Sequence, residues 1–211
     1  METSARHNGF TLIELVVALA VLGILVAIGL PSFNAAIANS RISSQYNDTI
    51  GALFIARSEA VKSSGNVTVC ARTADQMQSC KQAGSDWSDG IVVYLDNQPV
   101  AADGDVTIGD EDKVLYLEPE LSGENSLTLA GSLNNSAAEA DGYSFVTYNP
   151  NGSTNWRGVA LTLCDDRGSS FGRAINIVLT GDIRRGRPAP NGDVPIDTFN
   201  RPIVCPVDVT Q

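Results

Sequence analysis

Phe10-Thr11-Leu12-Ile13-Glu14-Leu15-Val16-Val17-Ala18-Leu19-Ala20-Val21-Leu22-Gly23-Ile24-Leu25-Val26-Ala27-Ile28-Gly29-Leu30 is the stretch that decides the architecture. Its 21 residues carry one charge, Glu14. Wound as a helix at about 1.5 Å per residue, the run spans roughly 31 Å, the thickness of a bilayer core. A secretory signal peptide is the alternative, but the run exceeds a usual signal core and no small-x-small cleavage pattern follows it at once. The polar segment in front, METSARHNG, contains Arg6. A basic residue there keeps the N-terminus cytoplasmic and places everything after the span outside.

Composition narrows what the rest can do. The chain has 211 residues, 43% of them hydrophobic, which is enough for one domain with a real core. Fourteen Lys and Arg against 24 Asp and Glu give a formal charge of -10. That balance disfavours coating nucleic acid with the whole surface. The single histidine, His7, precedes the span. The remainder therefore has no His general base, catalytic triad or His-containing metal site. A non-enzymatic protein without cofactor or metal is expected.

Glu14 is the odd residue of the run. A carboxylate inside a membrane helix costs about 2–3 kcal/mol on insertion scales, so it needs a partner unless it snorkels to the near interface. A free amine on Phe10, created by cleavage between Gly9 and Phe10, would be such a partner.

Gly9-Phe10-Thr11-Leu12-Ile13-Glu14 before an apolar run resembles the type III signal sequence of type IV pilins and type II secretion pseudopilins. The resemblance implies that a prepilin peptidase cuts after Gly9 and methylates Phe10. It also implies that Glu14 pairs with a neighbouring subunit's N-terminus during assembly. Pro31 stands where these proteins commonly carry a helix-distorting proline. It removes one backbone donor and should bend the rod.

Beyond Pro31, apolar residues at Ile42, Tyr46, Ile50, Leu53, Phe54 and Val61 recur in steps that mark one face of an amphipathic helix. Ser63-Ser64-Gly65 is the expected stop, with Gly65 as a left-handed cap. Short β-like runs follow at Val67–Arg72, Ile91–Leu95, Val114–Leu117, Leu127–Leu129, Tyr143–Tyr148, Val159–Cys164 and Ile175–Leu179. Gly-, Asn- and Asp-rich turns separate them. A long helix packed on seven antiparallel strands is an α+β arrangement, the pilin fold by resemblance. The expected organisation is a leader over 1–9, a membrane or filament-core helix over 10–30 and its amphipathic half over 31–65. A β head over 66–187 and a Pro-rich tail over 188–211 complete it.

Cys70, Cys80, Cys164 and Cys205 all follow the span, and an even count outside the cytoplasm favours two disulfides. Four cysteines allow three connectivities. Cys70–Cys80 would close a short loop and Cys164–Cys205 would tether the tail, which is the favoured pairing.

The head resembles the GspH/FimT/FimU group of minor pilins and pseudopilins. The carrying residues are Ala56-Arg57-Ser58-Glu59-Ala60-Val61, Val67-Thr68-Val69-Cys70 and Tyr148-Asn149-Pro150-Asn151-Gly152. Further ones are Leu161-Thr162-Leu163-Cys164-Asp165-Asp166-Arg167-Gly168, Arg173-Ala174-Ile175 and Leu179-Thr180-Gly181. The Leu-Cys-Asp-x-Arg stretch looks more like the type IV pilus members than the secretion members. The resemblance implies a minor pilin, a structural and priming subunit of a type IV pilus. An H-type pseudopilin of type II secretion is the alternative. Its partners would be the prepilin peptidase, other minor and major pilins or pseudopilins, and the inner-membrane assembly platform. Its head would be periplasmic, and later lie at or near the filament tip.

Arg184, Arg185 and Arg187 are the densest positive charge in the chain. In FimT-type pilins a Gly-Arg-x-Arg motif here goes with DNA uptake. In this chain Asp182 stands in place of the first arginine, and a carboxylate facing phosphates is unfavourable. DNA binding or adhesion is thus the second alternative. Asp96, Asp103, Asp105, Asp110, Glu111 and Asp112 form an acidic stretch that misses the calcium-loop spacing and reads as a solvated hairpin loop.

Overall fold

A computed structural model describes residues 11–82, 84–97, 108–109, 111–130, 145–154, 158–187, 195–197 and 201–206. One helix, α1 (Leu12–Ser63), carries the apolar run from Leu12 onward and the amphipathic stretch, and its backbone continues through position 31. Residues up to Ser40 and residues from Arg41 onward form two separate compact units.

In the first unit α1 is long and apolar enough to cross a membrane, with a mean hydropathy of 2.8 over its most apolar window. Its leucine, isoleucine and valine side chains are exposed from Leu12 to Ile28, as expected of a surface meant for lipid or for other helices. Thr11 starts the helix, its hydroxyl accepting from the Glu14 amide at 3.3 Å.

The described residues of the second unit form nine strands: β1 (Asn66–Thr73), β2 (Gln76–Cys80), β3 (Ile91–Asp96), β4 (Lys113–Glu118), β5 (Ser126–Ala130), β6 (Phe145–Tyr148), β7 (Gly158–Cys164), β8 (Arg173–Val178) and β9 (Ile183–Arg185). They form two sheets rather than one. The first runs β2-β1-β3-β4 with β6 also paired to β1, and the second runs β5-β7-β8-β9. Every pairing is antiparallel.

One core joins the helix to both sheets. Ile42, Tyr46, Ile50, Leu53, Ala56 and Ala60 of α1 meet Val67, Val69, Ile91 and Val93 of the first sheet and Leu127, Leu161, Ile175 and Ile177 of the second. Alternation along each strand sends every other residue to this core. The opposite faces carry smaller clusters, and each contains a disulfide. Cys70–Cys80 lies with Val92, Tyr94 and Phe145, and Cys164–Cys205 with Ala174 and Ile203.

Several expectations need correction. Phe54 and Val61 do not join the buried face, each being 52% exposed. The inward stripe turns instead through Ala56 and Ala60, whose small side chains let the sheets come close to the helix. At the helix end it is Ser64, at φ 53°, that takes the left-handed conformation, and Gly65 does not. Gly65 instead makes room, since a Cβ there would lie 3.2 Å from Leu95 Cδ1. Strands β2 and β9 were not expected, and β8 begins at Arg173 rather than Ile175. Asp96 is no loop residue: it ends β3, is buried, and accepts from the Thr68 hydroxyl at 3.0 Å. Asp103, Asp105 and Asp110 lie outside the described residues, as do Tyr143 and most of the tail. The described tail residues carry isolated bridges from Ile196 to Arg187 and Pro202.

Candidate assembly site

Glu14 occupies the first turn of α1, where a carboxylate opposes the positive end of the helix dipole. Gly9 and Phe10, the expected cleavage and methylation positions, lie outside the described residues. The same holds for the side chain of Pro31.

In the head, three of the family-like motifs converge on one side chain. Arg57 sits late on α1, one residue past the inward-facing Ala56. Its Nε donates to the Gly152 carbonyl at 3.2 Å and its Nη2 to the Thr180 carbonyl at 3.1 Å. Its Nη1 pairs with Asp182 Oδ1 at 2.9 Å. All three guanidinium nitrogens are thereby used, which a lysine could not reproduce. The Asn149–Gly152 turn and the turn from β8 to β9 are pinned together and to the helix. Asp182 is held below the usual carboxylate range by the Thr180 hydroxyl and by Arg57.

Both turns depend on glycine. Gly152 has φ 77° and Gly181 φ 75°, the left-handed region that favours glycine. A Cβ on Gly181 would stand 1.8 Å from the Gly152 carbonyl oxygen. Beside this junction lies a depression of about 410 Å³ lined by Phe54, Arg57, Ser58, Val61, Asn151 and Gly152. Tyr148 is buried under the junction, and burial pushes its hydroxyl pKa up.

The Cys164-Asp165-Asp166-Arg167-Gly168 stretch is a tight turn after β7. The buried Asp165 accepts from the Arg167 amide at 3.0 Å and from Arg167 Nε at 2.8 Å. The Ser169 hydroxyl beyond it accepts from the Cys205 amide at 2.8 Å. This motif therefore shapes the place where the tail is bridged.

The arginines do not share one surface. Arg184 pairs with Asn176 and Arg185 with Ile175 across β8 and β9, so the two point to opposite faces of the second sheet. Arg185 lies with Arg173 beside the Tyr46 ring, at 5.7 and 5.5 Å from its centre. Arg173 also donates to the Ser43 hydroxyl at 2.9 Å. Arg187 is past the strand, bridged through its backbone to Ile196. Asp182, which stands at the head of this stretch, is committed to Arg57.

Sequence reasoning missed the role of Arg57. A charge set between Leu53 and Ala60 on a core-facing helix, together with two Gly-containing turns in the same resemblance, is the signal that would have exposed it. No group of three or more potential metal ligands occurs among the described residues.

Among curated proteins, none matches the chain. Among solved structures, the Pseudomonas aeruginosa type IV minor pilin FimU in two crystal forms is 18% identical, with TM-scores of 0.42 and 0.44. Those matches cover 68% and 72% of this chain, and 90% and 91% of FimU. The Vibrio cholerae minor pseudopilin EpsH of the type 2 secretion system is 11% identical with a TM-score of 0.40, over 69% of this chain and 95% of EpsH. A model of the prokaryotic N-terminal methylation motif matches residues 4–30. A model described as type II transport protein GspH matches residues 45–182, well over half of the sequence and the span that contains the Arg57 junction. The chain belongs to the GspH family.

Proposed function

We propose that the protein is a minor pilin: a non-enzymatic subunit that helps initiate a type IV pilus and sits at or near its tip. The observation that carries this reading is the pairing, in one chain, of an N-terminal methylation motif with a GspH head. Cleavage after Gly9 leaves Phe10 as the methylated N-terminus, and its positive amine supplies the charge that Glu14 needs in an apolar setting. The helix over 10–30 first anchors the subunit in the inner membrane with the head periplasmic, then packs in the filament core. Pro31, at the end of that segment, removes one backbone donor from the helix.

The bridged Cys164-Asp165-Asp166-Arg167 turn favours the pilus over the secretion variant. The description of the matched family as type II transport protein favours the H-type pseudopilin, which is the second reading. The arginines weigh against DNA capture, since Arg184 and Arg185 face opposite ways and no continuous phosphate track is built from them.

Deleting the gene in its native host and scoring piliation and protein secretion side by side separates the two. Loss of surface pili with intact secretion supports the minor pilin, and the reverse supports the pseudopilin. Mass spectrometry of the N-terminus tests the processing step. N-methyl-Phe10 is expected, and it should disappear in Gly9→Val, whose leader stays attached.

A further inference from the structure

The second unit contains a groove of about 450 Å³ between α1 and the end of β4, away from the Arg57 junction. Asp48 on the helix, Tyr116 and Glu118 on the strand and Glu120 beyond it line it, with Arg41 and Ser122 among the other residues at its wall. Glu118 is 5% exposed, and its Oε2 is buried without a hydrogen-bond partner. The Thr49 hydroxyl beside the carboxyl has its one proton committed to the Gln45 carbonyl at 2.9 Å. Burial first, and the Asp48 charge second, push the Glu118 pKa up to about 8. Asp48 and the Glu118 carboxyl thus line one groove, and neither is in an ion pair among the described residues. Arg41 does not fill that place. Its guanidinium is stacked against Gly123, where a Cβ would lie 2.0 Å from Nη1.

We infer that this groove is a docking site for a lysine ammonium presented by a neighbouring subunit, held between Asp48 and Glu118. The inference rests on the assembly reading above. Charge complementarity chooses the occupant. Calcium recruits six to eight oxygen ligands, usually with several carboxylates, and no cluster of three potential metal ligands exists among the described residues. A guanidinium fork matches the two oxygens of one carboxylate, whereas a compact ammonium with three donors suits two carboxylates from different elements. Asp48, exposed at the rim, receives the ammonium first, and its approach draws the proton from Glu118 below.

The test uses the full chain assembled with its partner subunits in the native host. Isolated filaments or pseudopili are treated with a carbodiimide, which joins carboxylates to amines in contact, and cross-linked peptides are sequenced. A cross-link from Asp48 or Glu118 to a lysine of another subunit is expected. In Glu118→Gln and Asp48→Asn it should be lost at the altered position, and recovery of the subunit in the assembled fraction should fall by about ten-fold. The purified Glu118→Gln chain in detergent should melt no lower than wild type at neutral pH, which separates lost docking from lost folding. Wild-type incorporation without such a cross-link, or full incorporation of both variants, overturns the inference alone. A chain that never enters the assembled fraction overturns the assembly reading and the inference with it. If millimolar calcium raises the melting temperature of wild type and not of Glu118→Gln, the groove is a metal site and the lysine assignment is wrong.

Discussion

At the scale of single residues, Arg57 and Gly181 set the geometry of the head. Arg57→Ala removes two charge-assisted hydrogen bonds and the pairing with Asp182 while leaving two carbonyls without their donor. It should cost about 2–3 kcal/mol, read as a lowered denaturant midpoint at an unchanged slope. Asp182→Ala should cost clearly less, because that carboxylate is about half exposed and solvent replaces its partner. Gly181→Ala should be at least as damaging as Arg57→Ala, since it forces both an unfavourable φ and a clash with the Gly152 carbonyl. An unchanged midpoint in Gly181→Ala would mean that the two turns can part without loss. None of this was legible in the sequence as a site. The three motifs stand far apart in the chain, and only the fold makes them neighbours. Glu118 was equally hidden, because the expected strand stopped at Leu117 and left the carboxylate outside the pattern.

At the scale of elements, the strands that could be read are the apolar ones. Ile91–Asp96 and Gly158–Cys164 are buried almost throughout and announce themselves as runs of Val, Ile and Leu. Gln76–Cys80 and Ile183–Arg185 are polar, short and pinned by their surroundings: β2 by the bridge to Cys70, β9 by pairing to β8. Their strand character comes from neighbours, and no local propensity encodes it. The split into two sheets was also unreadable, because strand periodicity fixes which face is buried and says nothing of which strands pair. The two disulfides differ in reach. Cys164–Cys205 spans 41 residues and Cys70–Cys80 spans 10. Paired serines at 164 and 205 should therefore lose about 2–4 kcal/mol and more than paired serines at 70 and 80. Proteolysis of the first variant should begin within the tail. Equal midpoints for the two double variants would contradict loop closure as the source of the difference.

At the scale of the whole molecule, one buried carboxyl gives stability a pH dependence of unusual direction. Below about 4.5 the Glu118 carboxyl is protonated folded or unfolded. Between 4.5 and about 8 the native chain holds a proton that the unfolded chain has released. Stability from this group is therefore present at low pH and lost as pH rises through about 8. The melting temperature of the isolated full chain in detergent should fall over that window, and Glu118→Gln should flatten the fall. A slope unchanged by the substitution would place the titration elsewhere. The bridges carry a further consequence, one of timing. A ribosome delivers the chain from its N-terminus, so Cys80 follows Cys70 after ten residues and the first staple can close while most strands are still unmade. The second must wait for residue 205, long after β7 has appeared. Until then Cys164 is an unpaired thiol beside an earlier, already oxidised pair. Fidelity of maturation is therefore a race between late delivery of the tail and premature exchange at the waiting Cys164 thiol.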